Sequence, residues 1–438
     1  MFVRPDGIVD FDKSACIGCK ACIAACPYDA IFINPEDHSA EKCNFCAHRI
    51  DVGLEPACVV VCPTEAIVVG DLNDPQSRVA QMVGREAVQV RRPEKDTQPK
   101  LFYRGAHQAT LDPLAAQRPR GGLFMWSEQA RGGDHVVSGH PAPKGREPWE
   151  GGRNSSAAAL LSYDVPHRAP WDWRVSLYTL TKGVSAGAYV VGLLLVLLGV
   201  SAPGGLLFGR VVPIVALAFF ALTGAILIAD LEHPARFYMI FTRPQWRSWL
   251  VKGAFILAGF GAVLGLHLFF DLAGRPHRIL FLGVFGLPLA IAAAVYTAYL
   301  FAQAKARDLW QNPLLPPHLL VQAILAGAAA LLPFAALWDR TALRALAAIL
   351  ATAAIAHALL VLGEITLPHS TAHARLATQE MVSGRFRVYF WGGLALTTLS
   401  LGATLFVESA TLFALLALAG LLGFEHAYVQ AGQAVPLA

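Results

Sequence analysis

The chain has 438 residues, 55% of them hydrophobic and only 15% charged, which is too apolar for an ordinary soluble protein and long enough for two or three folding units. A formal net charge of +4 is small for that length and gives no reason to expect a nucleic-acid partner. The average hides a break. Up to about Pro170 the sequence is polar and rich in Arg, Pro and Gly, and beyond it long apolar runs dominate.

Gly7-Ile-Val-Asp-Phe11 reads as a short strand feeding the first of two cysteine runs. All eight cysteines lie between Cys16 and Pro63. The first run, Cys16-Ile-Gly-Cys19-Lys-Ala-Cys22-Ile-Ala-Ala-Cys26-Pro27, is the C-x2-C-x2-C-x3-C-P pattern that holds iron–sulfur clusters. In the second, Cys43-Asn-Phe-Cys46 is followed by eleven residues and then Cys58-Val-Val-Val-Cys62-Pro63. Cys16 and Cys19 map onto Cys43 and Cys46 with a shift of 27, and Cys22 and Cys26 onto Cys58 and Cys62 with a shift of 36, so the second copy carries nine extra residues, about Ala47 to Glu55. The text rhymes again afterwards, Pro27-Tyr28-Asp29-Ala30-Ile31 against Pro63-Thr64-Glu65-Ala66-Ile67, each leading into an apolar run of strand character.

This internal duplication predicts an N-terminal α+β ferredoxin-like dicluster domain over residues 1–103, each half a strand, a cluster loop, a short helix and another strand. In two-cluster ferredoxins the fourth cysteine of each motif ligates the other cluster. That rule assigns Cys16, Cys19, Cys22 and Cys62 to one [4Fe-4S] site and Cys43, Cys46, Cys58 and Cys26 to the second. Disulfides or zinc ribbons are the plainer readings of eight cysteines. Neither explains the triple spacing, the proline after both final cysteines or the duplication. Disulfides also call for an oxidising compartment, and Met1-Phe-Val-Arg-Pro-Asp6 has no secretory pattern.

Gly70-Asp-Leu-Asn-Asp-Pro-Gln-Ser77 punctuates the end of this core, and Arg78 to Glu86 has helical character. From 104 to 170 no period is sustained while Pro, Gly, Arg and Ser recur, so a linker is expected there. Residues 171–438 then predict an all-α polytopic membrane bundle. Eight apolar stretches, at about 176–200, 210–231, 249–270, 279–303, 317–338, 341–362, 388–406 and 409–430, are each near the ~20 residues that cross a bilayer, and helices are the form that satisfies their backbone there. The fifth and sixth must form a tight hairpin. Trp171, Trp173, Trp246, Trp249, Trp310, Trp338 and Trp391 fall at predicted ends, as an aromatic belt would.

Eight spans put both termini on one side, whose loops (231–248, 303–316, 363–387) carry a modest excess of Lys and Arg. The expectation is a plasma (inner) membrane protein with its cluster domain in the cytoplasm. Ionisable groups inside spans are costly and mark function. Tyr178 and Lys182 share one face of the first stretch, Asp230, Glu232 and His233 close the second near Arg236, and Tyr296 and Tyr299 lie in the fourth. A tyrosine, a lysine and a carboxylate can hydrogen-bond a quinone's carbonyls and exchange its protons. The plainer reading is interfacial anchoring and snorkelling. His267 and His357 lack the matched depth expected of haem ligands. Glu364, one turn past Leu360, reads as a proton-path residue or, more plainly, as the boundary of a loop.

The cysteine region resembles the iron–sulfur electron-transfer subunits of the molybdopterin oxidoreductase superfamily, of the dimethyl-sulfoxide-reductase and polysulfide-reductase kind, through Cys16-Ile-Gly-Cys19, Ala25-Cys26-Pro27-Tyr28, Lys42-Cys43-Asn-Phe-Cys46, Pro56-Ala57-Cys58, Cys62-Pro63-Thr64 and Gly70-Asp71-Leu72. The membrane half resembles the NrfD-type quinone subunit of the same assemblies, through Tyr178 to Tyr189, Ala229 to Phe237 with Arg247-Ser-Trp249, and Gly286-Leu-Pro288 to Trp310. The resemblance implies a quinone pocket (menaquinone or ubiquinone) among the first four helices, with Tyr296 at a tyrosine of that pocket and Tyr178 where a histidine stands in the polysulfide-reductase branch. It also implies a molybdopterin-type catalytic partner and room for a further iron–sulfur subunit. Two departures stand out: two cysteine motifs where the family has four, and fusion of two normally separate chains. In four-motif relatives these two motifs are not always partners, so the pairing of the fourth cysteines stays open while the set of eight ligands does not. The function expected is electron transfer between a catalytic subunit and quinone at Tyr178, Lys182, Asp230 and Tyr296. A redox-driven proton or ion transporter is the alternative, favoured by intramembrane carboxylates, of which the sequence shows few.

Overall fold

The structure is a computed structural model that describes residues 1–106, 108–111, 169–369 and 371–435. Most of the predicted linker, 112–168, lies outside the described residues. The chain divides into two compact units, the second over Ala169–Ala434.

The first unit is built from hairpins of two-residue strands. β1 (Phe2–Val3) pairs antiparallel with β2 (Val9–Asp10), β3 (Phe32–Ile33) with β4 (Ala40–Glu41), and β5 (Val88–Gln89) with β6 (Tyr103–Arg104). Short helices Ala21–Ala25, Ala47–Ile50 and Ala57–Val60 follow the cysteine loops, and Ser77 caps the predicted helix Arg78–Arg85 through Ala80 N at 3.1 Å. The first copy keeps its strand after the loop, β3. The second does not: Pro63 and Thr64 form a turn, no strand is assigned over 65–70, Ile67 is 48% exposed, and the Gly70–Ser77 turns supply no neighbouring strand. The nine inserted residues form the helix Ala47–Ile50 and a turn that Arg49 Nε closes onto Glu55 O at 2.8 Å. Cys26, Ile31 and Ala40 form a very small core with Phe11, Tyr28 and Ile33 against it.

The second unit is a helical bundle. Its long helices are α1 (Trp173–Leu197), α2 (Val212–Ala229, entered through a π-turn at Leu206–Val211), α3 (Trp249–Leu272), α4 (Pro276–Gln303), α5 (Leu315–Trp338), α6 (Arg340–Thr366), α7 (Arg387–Leu399) and α8 (Ala410–Ala434). Seven of the eight predicted stretches are helices long and apolar enough to cross a bilayer. The stretch at 388–406 is shorter: α7 ends at Leu399 and continues as a 3₁₀ turn, Ser400–Thr404. Hydroxyls break it, since Thr397, Thr398 and Ser400 each bond back to carbonyls three or four residues earlier.

α1 is the centre of the bundle, with 72% of its apolar window buried against 28% for α3. It crosses α5 backbone to backbone: a Cβ on Gly187 would stand 1.7 Å from Ala323 O, and one on Gly327 2.0 Å from the Gly187 carbonyl carbon. Small residues that let helices touch in this way are the membrane form of close packing. Asp339 alone joins α5 to α6 and caps the latter through Thr341 N and Ala342 N, giving the expected hairpin. Trp171 and Trp310 depart from the belt reading. They are 5% and 0% exposed and stack on each other and on Phe301, and Gln433 bonds Trp171 N and O at 2.9 Å each to tie the end of α8 to the start of α1. Trp173, Trp246, Trp338 and Trp391 do face outward.

Candidate functional site

The two cysteine loops repeat their backbone as well as their text. Gly18 (φ 70°) and Phe45 (φ 58°) occupy equivalent left-handed positions between the first two cysteines of each run, and Asp29 (φ 51°) and Glu65 (φ 48°) do so after each proline. Non-glycine residues pay about 1–2 kcal/mol there. The turn at Glu65 aims Ala66 N at Cys62 Sγ, 3.1 Å away, while Ala40 N points at Cys16 Sγ at 3.4 Å. Backbone N–H groups directed at sulfur hold the Cys62 thiol below its usual pKa and suit a thiolate ligand. Burial, then the neighbouring Cys19 and Cys16, push the Cys22 thiol up to about 12, so ligation there must displace a proton with metal charge. Among the described residues no three ligating side chains close on a single metal ion.

In the membrane unit, Lys182 sits nine residues into α1, about 14 Å along the helix at ~1.5 Å per residue, and is 3% exposed. Its Nζ donates to Ala294 O at 2.8 Å and Thr297 Oγ1 at 2.7 Å on α4, and lies 4.8 Å from the centre of the Tyr296 ring. An ammonium has three donors, and the third is unused among the described residues. Tyr296 is pinned against α3, where a Cβ on Gly253 would fall 2.3 Å from its ring. Tyr178, one turn before Lys182, is equally buried, and both phenols come within range of Thr297. Asp230 closes α2 and lies 3.8 Å from Arg174 at the start of α1, within electrostatic range of Tyr178. The structure therefore gathers Tyr178, Lys182, Asp230 and Tyr296 at one end of α1, α2 and α4. Tyr299 stays at the rim, 40% exposed and stacked 4.4 Å from Trp249, and is the anchor.

A narrow slit beside Lys182 is lined also by Ser185, Phe220, Thr223, Leu257, Phe260 and Ala293. The slit is bounded by α2 and α3, which bury less of themselves in the bundle than α1, α4, α5 or α6.

Sequence reasoning missed Glu425. It lies on α8, 6% exposed, with Oε2 2.7 Å from Thr179 Oγ1 and within electrostatic range of Lys182. The signal was present, a carboxylate inside the last apolar stretch. Glu364 corrects the loop reading: it is buried within α6, 2.9 Å from His318 Nδ1. His267 bonds Phe208 O at 3.0 Å and His357 bonds His318 at 2.8 Å, so the two histidines serve different neighbours.

Comparison with known proteins agrees with this division. Residues 163–435 match the family model described as polysulphide reductase, NrfD. The protein belongs to the NrfD family. Residues 1–72 match a 4Fe-4S dicluster domain, so this NrfD-family chain carries an iron–sulfur domain and a multi-pass helical membrane domain together. Its cysteine region is similar to a tetrathionate reductase subunit of Salmonella typhimurium (46% identical over 129 residues, 29% of this chain and 50% of that protein). It is also similar to an NrfC homolog of Haemophilus influenzae (48% over 101 residues, 23% and 45%) and to a polysulfide reductase chain of Wolinella succinogenes (43% over 102 residues, 23% and 53%). The chain spans about half the length of these curated relatives.

Proposed function

We propose that this chain is an electron-transfer subunit that joins a catalytic oxidoreductase partner to the quinone pool. The observation that carries the reading is a buried lysine with one donor unused, set beside two phenols, in the same polypeptide as eight paired-loop cysteines. The eight cysteines would hold two [4Fe-4S] clusters, which supply one-electron relay. Around the slit, Lys182 and Tyr296 orient a quinone carbonyl by hydrogen bonding, Tyr178 and Glu425 exchange protons with it, and Asp230 with Arg174 fixes the mouth.

The partner reading is supported by the exposed face of the second cysteine run, where Val52, Leu54, Val60 and Val61 are 52–74% exposed. Apolar residues clustered on a surface mark a docking site, and the names of the relatives point to reductase assemblies. A molybdopterin-type subunit is the partner proposed, with the plasma membrane as location and the cluster domain on the cytoplasmic side. Eight crossings fit as well: α7 and its 3₁₀ turn together run about 30 Å and follow α8 through Gly393, Gly420 and the Gly402–Phe413 contact.

The test is quinol-driven reduction of the clusters followed by EPR in the purified complex. Lys182→Met and Tyr296→Phe should slow it about 10²-fold or more while leaving dithionite reduction intact. Full quinol activity in both variants would show the pocket to be elsewhere. Buried Glu364 and Glu425 favour a second reading, redox-driven proton transport. In proteoliposomes it requires a proton gradient that scales with electron flux.

A further inference from the structure

A second buried polar group lies between α5 and α6, where the pocket chemistry does not use it. His318 on α5 places Nδ1 2.9 Å from Glu364 Oε1 and Nε2 2.8 Å from His357 Nδ1, both partners on α6. The Gln322 amide nitrogen reaches the same His318 Nε2 at 3.3 Å. His318 and His357 are fully buried, and Gln322 and Glu364 are 4% and 6% exposed. Three atoms of the set, Gln322 Oε1, His357 Nε2 and Glu364 Oε2, are buried without a hydrogen-bond partner among the described residues.

Leaving a buried polar atom unsatisfied costs about 1–3 kcal/mol each. Elsewhere along α6 the buried face is apolar, with Leu343, Leu346, Ala347 and Leu350 in the core of the bundle. A polar group kept inside a membrane domain at such a cost is a functional candidate.

With His318 Nε2 accepting from His357 Nδ1–H, the donors run in one direction. His318 Nδ1 then carries the hydrogen that bonds Glu364, and His357 Nε2 is left as a bare lone pair at the inner end. A proton placed on His357 Nε2 moves by two short transfers, His357 Nδ1–H to His318 Nε2 and His318 Nδ1–H to the Glu364 carboxylate. One proton enters and one leaves, and the rings return by exchange of tautomers.

Both ends of the chain lead somewhere. At the inner end the Phe424 ring covers the two imidazoles, with centroids 4.9 and 5.3 Å away, and the next residue of α8 is Glu425, beside Thr179 and Lys182. At the outer end Glu364 lies two residues from the close of α6. Half-buried His369 follows it, bonded to Thr378 Oγ1 at 3.0 Å and within electrostatic range of Glu364. Burial and then Arg375 hold the His369 pKa below its usual value, so it stands neutral and able to accept a proton near pH 7. Tyr428 of α8 also faces Glu364.

We propose that His357, His318 and Glu364 form the proton route between the quinone pocket and the nearer membrane face, with Glu425 at the pocket end and His369 at the water end. The proposal rests on the quinone reading above. A quinone exchanges two protons with each two electrons, so a buried pocket needs a path for them.

The experiment compares wild type, Glu364→Gln, His357→Gln and Glu364→Asp in the full chain with its native partners. It measures quinol-dependent cluster reduction by stopped flow across the neutral pH range, and ubiquinol and menaquinol affinity separately. Glu364→Gln and His357→Gln should each slow reduction about 10²-fold with quinol affinity unchanged, and Glu364→Asp should recover most of the rate. Wild-type rates in both glutamine variants at every pH overturn the relay, as does a slow variant that binds quinol weakly or an aspartate that restores nothing. If Glu364→Gln does not fold, His357→Gln decides alone. A wild-type chain that quinol fails to reduce sinks the pocket reading instead, so the two failures are distinct.

Discussion

Gly187→Ala tests whether the α1–α5 crossing sets the position of Lys182. The new Cβ would stand 1.7 Å from Ala323 O, 2.5 Å from Ala323 C and 3.1 Å from Gly327 N. All three are backbone atoms, so no side chain can turn away, and restoring contact distance requires the helices to part by about 1.5 Å. In an open helix position the same substitution gains about 1 kcal/mol of helix propensity. Here overpacking of about 1–3 kcal/mol or more outweighs the gain, and the net effect should be loss. Lys182 lies five residues away on the same helix and bonds α4, so moving α1 also moves the ammonium, and a shift near 1 Å at a reacting site costs up to about 10²-fold in rate. Gly265→Ala is the control, since nothing lies within 4 Å of that position. Thermal inactivation of detergent-purified protein and quinol-driven cluster reduction are the assays. If Gly187→Ala matches Gly265→Ala in both, the close crossing does not govern the site.

Three further outcomes concern the cluster domain. Cys62→Ala and Cys16→Ala should abolish the same EPR signal and leave the other, with iron and acid-labile sulfide falling by about half, because the pairing rule puts both on one cluster; different signals would reverse the pairing. Glu65→Gly should stabilise the domain by about 1 kcal/mol, since it relieves a left-handed side chain at φ 48° and gives up only an exposed ion pair with Arg78, and a denaturant midpoint reports it. Lys13 and then Asn34 hold the Glu41 carboxyl below its usual pKa. A lowered carboxylate stabilises the fold above its unfolded pKa and loses that contribution as pH falls through the folded value, so Lys13→Met should flatten the acid side of the stability profile, and high salt should mimic it.

What the sequence made legible follows from the range of the interaction concerned. The cysteine duplication was readable because ligand spacing is local, and the left-handed pairs at Gly18 and Phe45, and at Asp29 and Glu65, confirm that the backbone repeats with it. Apolar length exposed most of the spans for the same reason. The missing second strand after Pro63 was not readable, since a strand needs a neighbour and the Gly70–Ser77 turns remove it. The break in α7 turns on hydroxyls bonding backward, which an apolar count ignores. Trp171 and Trp310 were misjudged because proximity to a helix end says nothing about which way a ring faces. Lys182 and Tyr178 were visible as a shared helix face, whereas Glu425 and Thr297 join them from helices more than one hundred residues away. Only packing brings those together.

The structure also separates a lysine kept for stability from one kept for chemistry. A snorkelling lysine would send its ammonium toward the helix end, but the Lys182 partners on α4 lie six and nine residues before Gln303, about 9–14 Å inside that helix at ~1.5 Å per residue. Its hydrogen bonds are poor compensation for a desolvated charge: a carbonyl that belongs to the α4 helix and one threonine hydroxyl, with Glu425 near but not in contact. Replacing buried charge with apolar volume of similar size is often neutral or stabilising by about 1–4 kcal/mol when no opposite charge is stranded. Lys182→Met strands none directly, because Glu425 keeps Thr179 at 2.7 Å and Thr297 can turn to its own helix. The variant should therefore be as stable as wild type or more so, and yet fail with quinol. A residue whose removal strengthens the fold and ends the reaction is there for the reaction. Clear destabilisation of Lys182→Met, in step with its loss of activity, would instead make the lysine a structural tie between α1 and α4.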